Sequence, residues 1–511
     1  MPPNPLDKVD PSAAWQRWEP SAEQPWNLQW AGHLFRRAGF GANLEQLRDA
    51  VRSGFPTTLE RVLKGAPGAD QRTNFLDSVG ERVARKSNIY ELRGWWLYAM
   101  LHTLHQLREK TTLFWHNHFV SSIAKVHRAE LMFKQNRLLR QHALGKFGPF
   151  LLAVSKDPAM LVYLDSNSNV KGRPNENYAR EVMELFSLGV GNYTEQDIRE
   201  AARAFTGWHS DGDEFEFEPA LHDEGPKTVF GKTGNWNGDD VVRFCLEKDC
   251  TARFLVRKFY RSFVGEVHDP PDALLEPLAS QFRKSDYDVA ALLATMLGSR
   301  HFFSVHAYRQ RIKSPVEFAV GTLVAATSRS ALDEGRVAQE ALINRVDGMG
   351  QSLFAPPNVK GWPGGKNWLN TSTVLARHNF ALDIASADLP LGRRPAANRR
   401  EAIELQAEED LIQADKNANA ARQVNADADR PRPIPKAALD IAAAVKNEKL
   451  EKPAAIVQLL LDILLQGEIE KEARTRLEKF VAEGKPQGDA LDWRIRDSAH
   501  AIMTMPEYQL A

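Results

Sequence analysis

At 511 residues the chain is larger than one core comfortably accommodates, so more than one lobe is expected. Lys plus Arg and Asp plus Glu both number 66, so no net charge draws the chain toward nucleic acid or an anionic membrane. Its 43% hydrophobic residues are ordinary for a soluble globular protein, and no apolar run approaches the ~20 residues that a membrane span needs.

Residues 1–27 are Pro-rich and irregular, and Trp15, Trp18 and Trp26 suit an arm pinned to the body. The start lacks a basic stretch followed by an apolar one, so no signal peptide is read and a cytoplasmic location is expected. From residue 28 helical periodicity dominates, with LQWAGHLFRRAGFGA stopping at Gly39 and Gly41 and with further helices over 44–63 and 79–107. Residues 211–239 are rich in Gly, Asp and aromatics and alternate as EFEFEP, which predicts a large ordered loop or a small hairpin. Helices resume at Asp240 and run to about Val346, and 352–370 is a Pro/Gly/Trp-rich loop. The helical body is therefore placed at 28–387, a charged low-complexity insertion at 388–436, and a C-terminal helical segment at 437–511. The fold class expected is mainly α. Cys245 and Cys250, five apart on one helix, face different ways and suggest neither a disulfide nor a metal site.

The densest polar chemistry lies in 156–208. A helix is predicted over Pro174–Leu188, with Pro174 in the first turn and Gly189 as its stop. Tyr178, Val182, Leu185 and Phe186 make its apolar face. Glu176, Arg180 and Glu184 stand at i, i+4, i+8, so Arg180 bridges both carboxylates, and Glu181 adds to a second polar stripe. Such a pair suits acid and base work or metal ligation in a cleft, but spacing alone favours a solvated face of helix ion pairs. Thr194 with Asp197 reads as an acidic capping box opening a second helix, whose stripe is Ile198, Ala201, Ala202 and Phe205.

In LFWHNHF, His116 and His118 lie about 200° apart on a continuous helix, so they cannot share one metal ion. His118 continues the apolar seam Leu104, Leu107, Thr111, Phe114 and is expected to face inward and need a polar partner. His222, Asp223 and Lys227 are concentrated between glycines, where a loop brings titratable groups to a cleft. The Gly-rich stretch lacks P-loop spacing. Asp239 or Asp240 is expected to cap the next helix. In PPNVKGWPGGKNW, Trp362 and Trp368 offer flat faces to a sugar or plug the core, while Asn358 and Lys360 offer hydrogen bonds.

Several of these segments carry a family resemblance. RAGFGA (37–42), LFWHNHF (113–119), KDPAMLVYLD (156–165), KGRPNENYAREVMELFSLGVGNYTEQDIREAARAFTGW (171–208), HDEGPKTVFG (222–231), RFLVRKFYRSFV (253–264), IKSPVEF (312–318) and PPNVKGWPGG (356–365) resemble, in order, the bacterial domain of unknown function 1800. The resemblance implies a mostly helical fold. It also implies a protein partner of the domain-of-unknown-function-1501 family, which is similar to sulfatases and commonly carries an export signal. Export with that partner would then replace the cytoplasmic location. The resemblance transfers no catalytic residues.

The functional expectation is a hydrolase-type enzyme acting on a polymeric substrate such as a glycan, alongside the sulfatase-like partner. The alternative is a non-catalytic scaffold that presents substrate to that partner. The expected acid–base groups are Glu181, Glu184, His118, His116, Arg180, His222, Asp223 and Lys227, meeting on one face. The expected substrate contacts are Trp362, Trp368, Asn358 and Lys360. No cofactor is assigned; a divalent metal is compatible with the carboxylates but not favoured.

Overall fold

A computed structural model describes residues 4–327, 339–386 and 441–511. The expected insertion at 388–436, with both of its boundaries, lies outside the described residues. The described chain is mainly α, with two small antiparallel hairpins.

The elements that matter for the site are few. Helix α1 is Leu28–Ala38 and α2 is Gln106–His118. A short α3, Asn177–Glu181, runs directly into a π-helical segment, Val182–Ser187. Helix α4 is Glu195–Ala204, α5 is Asp249–Phe263, α6 is Pro315–Ala326, α7 is Thr371–Ala385 and α8 is Asp489–Thr504. The first hairpin pairs β1 (Trp208–Asp211) with β2 (Glu214–Phe217), in register Trp208 to Phe217. The second pairs β3 (Lys227–Val229) with β4 (Lys232–Gly234). The EFEFEP alternation is thus β2.

Local chemistry explains the boundaries. Thr194 accepts from the Asp197 N–H while the Asp197 carboxylate takes back the Thr194 N–H, the capping box expected for α4. The same device opens α6 at Ser314 and Glu317, with Pro315 at its first turn. The helix after the second hairpin is capped by Asn237, not by Asp239 or Asp240; Asp240 instead closes that capping box.

The predicted start at Pro174 is corrected to Asn177. Gly172 at φ 80° and a bridge between Val170 and Arg173 hold the preceding segment in a tight turn, and the Asn175 side chain caps the Asn177 N–H. The other end also differs from a plain α-helix. The Leu188 N–H reaches back five residues to the Met183 carbonyl at 2.9 Å, and the Ser187 hydroxyl donates to the Val182 carbonyl at 2.5 Å.

Two large apolar clusters make the interior. One centres on Trp115, Phe119, Phe147, Phe150 and Phe186. The other gathers Trp95, Trp96, Phe318, Phe380 and Tyr508. Helix α2 supplies Leu107 and Trp115 to the first and Leu113 to the second. Covered on both sides, it buries Glu109, Lys110, Thr111, Thr112, His116 and His118, each of which must find a partner inside the protein. The Trp residues of the N-terminal arm are pinned as expected: Trp15 donates to the Leu274 carbonyl, Trp26 to the Ala50 carbonyl, and Trp18 stacks on Phe303 at 4.3 Å. Helix α8 packs on α7, and Tyr508 beyond it bonds Thr322 of α6 at 2.9 Å. Cys245 and Cys250 are free thiols.

Candidate functional site

The C-terminal end of α2, the middle of α5 and the loop 360–368 enclose a cleft of about 630 Å³. His118 and Asn117 come from α2, Lys258 from α5, and Lys360, Trp362, Lys366 and Trp368 from the loop. Arg311 and Glu317 lie at the entry to α6, with Lys110 one helical turn or more back along α2.

The π-helical segment shapes this wall. Its unpaired carbonyls project toward α2 and α5, and two side chains take them. The His118 Nε2–H donates to the Phe186 carbonyl at 3.0 Å, and Lys258 Nζ donates to the Leu185 carbonyl at 3.1 Å. Lys258 Nζ also lies 3.0 Å from His118 Nδ1, which therefore accepts. Together these bonds assign a neutral His118 with its proton on Nε2. Burial first, and the Lys258 charge second, hold His118 well below its ordinary range. Burial also drops Lys258 to about 7, with Arg261 adding repulsion. Among the described residues Lys258 has no carboxylate within ion-pair distance. Its aminium rests on two neutral acceptors and on the Phe254 ring, 4.8 Å away.

The opposite end of the cleft is closed by a buried ion cluster. Glu317 pairs with both Lys110 and Arg311 and accepts the Ser314 N–H at 2.7 Å. The two cations hold Glu317 far below the usual carboxylate range against the opposing effect of its burial, which on its own would raise it. Burial lowers Lys110 to about 8. Glu266 accepts the Ile312 N–H at 2.8 Å, and Asp269 pairs with Arg257 and Arg261. Most acids at the cleft are thus neutralised locally, whereas Lys258, Lys360 and Lys366 carry no ion pair among the described residues.

The residues singled out from sequence divide into three groups. His118 lines the cleft and faces inward, as its seam predicts. His116, on the other side of the same unbroken helix, is buried among Trp96, Phe354 and Trp362. Its Nε2 accepts the Phe354 N–H at 3.2 Å, and burial lowers it to about 3. It orients the loop before Pro356 and does not reach the cleft wall.

The carboxylates of the second group do not line the cleft. Arg180 pairs with Glu176 at 3.1 Å and with Glu195 of α4 at 2.8 Å, in place of the expected Glu184. The π-helical turn explains this, because the extra residue per turn rotates Glu184 off the i+4 track. Glu184 instead accepts from the Tyr193 hydroxyl at 2.7 Å. Glu181 is raised by burial and by its neighbour Glu184, and Lys360 partly offsets this.

The third group is elsewhere. His222 bonds the Thr206 carbonyl at 2.8 Å, Asp223 pairs with Arg203 at 2.8 Å, and Lys227 is buried on the Asp223 and Gly225 carbonyls. These contacts tie the hairpins to α4, so the expected meeting of all three polar clusters on one face does not occur.

Trp362 and Trp368 are 6% and 7% exposed and pack with Ile312, so neither presents an open ring face. Asn358 accepts the Lys360 N–H at 2.9 Å and shapes the turn. Asn117 fastens this loop to α2, accepting the Trp362 N–H at 2.7 Å and donating to its carbonyl at 3.2 Å. Among the described residues no group of three or more His, Cys, Asp or Glu side chains is arranged to hold a metal ion. No helix among them is long and apolar enough to cross a membrane.

Sequence reasoning missed Lys258, Lys110, Arg311 and Glu317. Two of them had a signal. Lys110 sits between Leu107 and Phe114 on the apolar seam of α2, and Ser314-Pro-Val-Glu317 is a capping-box pattern.

The family comparison bears out the resemblance. The model described as "Protein of unknown function (DUF1800)" matches residues 33–510. The chain belongs to the DUF1800 family. No curated protein and no solved structure matches it. The DUF1800 match takes in α2, α5, α6 and the 360–368 loop, so every wall of the cleft lies within it.

Proposed function

We propose that the cleft at His118 and Lys258 is the site of a hydrolase-type enzyme that acts on an anionic polymer, a charged glycan being the best fit. The observation that carries this reading is Lys258, a cation in the cleft wall supported by two neutral acceptors and no carboxylate. A partly buried aminium without a counter-ion favours an anionic ligand. A lysine near neutrality also suits proton transfer at physiological pH.

The roles follow from the hydrogen bonds. Protonated Lys258 spends two N–H groups on His118 Nδ1 and the Leu185 carbonyl, leaving one for a substrate oxygen. Deprotonated, it keeps both donations and has its lone pair free to accept a proton from water. His118 is neutral at rest and fixes the amine. Lys360 and Lys366 at the rim attract the charged chain. Glu181 sits beside Lys360 and modulates that charge. In this reading the acid–base work moves from the Glu181/Glu184 pair to Lys258. A sulfatase-like protein of the domain-of-unknown-function-1501 family remains the proposed partner, and co-purification tests it.

The scaffold reading has an observation in its favour, since both Trp rings are packed rather than presented. Incubation with charged and neutral polysaccharides, reading new reducing ends, separates the two. The enzyme reading expects release from charged substrates only, and its loss in Lys258→Met. Release that survives Lys258→Met contradicts this assignment. No release from any substrate, together with a stable complex with the partner, favours the scaffold.

A further inference from the structure

The primary amine of Lys258 is placed for attack on carbon as well as for proton transfer. It lines a cleft large enough for a small molecule, with Leu113 and Phe114 as apolar walls, and its amine packs on the Phe254 ring. Its nitrogen is held by two hydrogen bonds, and one of the acceptors is an unprotonated imidazole nitrogen, His118 Nδ1, 3.0 Å away. A nucleophilic lysine needs these features: desolvation, a neighbouring cation to disfavour its own charge, and an adjacent base. Arg261 is the neighbouring cation. The unpaired rim lysines, Lys360 and Lys366, add a preference for a ligand that carries a negative charge near its reactive carbon.

We propose that Lys258 forms an imine with a small oxo acid, a carbonyl compound bearing a carboxylate, held in this cleft. The proposal rests on the placement of the reactive site at His118 and Lys258 argued above. The free amine attacks the carbonyl carbon, forming a C–N bond as the C=O π pair moves to oxygen. A proton lost by nitrogen passes to His118 Nδ1. That proton passes on to the alkoxide and gives the carbinolamine; the second N–H proton follows the same route to the hydroxyl, the C–O bond breaks, and one water leaves. The imine nitrogen stays bonded to carbon, and no oxidant or reductant enters the balance.

The test uses the full chain, with glyoxylate as the probe and sodium cyanoborohydride to reduce any imine to a stable secondary amine, followed by peptide mapping. Near neutral pH an unperturbed lysine is almost wholly protonated, so labelling at Lys258 should run at least about tenfold ahead of surface lysines. It should also favour glyoxylate over propionaldehyde, which lacks the carboxylate, and it should be absent from Lys258→Arg. Because the mapping is done on the unaltered protein, the outcome does not depend on whether the variant folds. Labelling spread evenly over surface lysines, with Lys258 unmodified, overturns the proposal. If polysaccharide release still depends on Lys258 in that case, the acid–base reading survives and only the imine falls. Selective labelling without any polysaccharide release supports the imine and removes the hydrolase.

Discussion

Replacing Lys258 by Met should change how stability depends on pH, and the size of the effect follows from the surroundings of the amine. In the folded chain burial brings Lys258 to about 7, whereas an unfolded lysine titrates near 10.4. Between those two values the unfolded chain binds a proton that the folded chain does not. Stability therefore rises with pH across this window, by roughly 1.4 kcal/mol per pH unit for one group. From about pH 7, where the folded amine is half protonated, to about pH 9 that is roughly 2.3 kcal/mol of added stability in the wild type relative to Lys258→Met. Below about 7 the amine is protonated in both states and the difference levels off. Above about 10 it is neutral in both and levels off again. Methionine keeps the unbranched stem, so the packing beside Phe254 is largely preserved. Other buried amines such as Lys110 and Lys313 contribute the same slope to both proteins and cancel. Urea unfolding at a series of pH values measures the difference directly. If the two stability curves run parallel from pH 6 to pH 10, the amine is not desolvated and the argument for the cleft fails.

Trp362→Ala should cost about 3–5 kcal/mol in denaturant unfolding, because the ring is a packed part of the Ile312–Trp368 cluster; a cost below about 1 kcal/mol would mean that the ring is free to serve a ligand. Glu317→Gln leaves Lys110 and Arg311 without their shared carboxylate, and the loss should be about 3–5 kcal/mol, largest near neutral pH where both cations are charged. Gly361→Ala places a Cβ 2.2 Å from Asn117 Oδ1 at a φ of 77°, so it should cost roughly 2 kcal/mol or more and raise hydrogen exchange in the 360–368 loop. Replacing residues 388–436 with a short Gly/Ser linker should leave the unfolding midpoint nearly unchanged, since that composition offers few apolar side chains; a loss of several degrees would refute it.

Much of the fold was legible where one local rule decided the outcome. The α4 capping box and its Ile198, Ala201, Ala202 stripe were readable because both rest on residues three and four apart. The β2 strand was readable from strict alternation. The anchoring of Trp15, Trp18 and Trp26 onto other segments was readable from three Trp residues in an otherwise polar stretch. His118 was assigned inward by its seam, and α2 is indeed continuous through it.

The site was only half legible, for a physical reason. A π-helical turn has no periodic signature, and here it rotates Glu184 away from Arg180 and frees the Leu185 and Phe186 carbonyls. Lys258 is 140 residues from His118, so their pairing belongs to tertiary packing alone. The His222, Asp223 and Lys227 cluster was recognised as dense polar chemistry, but composition does not distinguish a cleft from a knot. Arg203 of α4 and Thr206 just after it make it the latter.

The most direct test of the central claim is calorimetric titration of the full chain with a carboxylated and sulfated oligosaccharide at about pH 6 and about pH 9. If Lys258 is the anion-seeking group, binding is present at the lower pH, weakens as pH rises through about 7, and is lost in Lys258→Met. Binding of equal strength at both pH values, or in both proteins, would contradict the account.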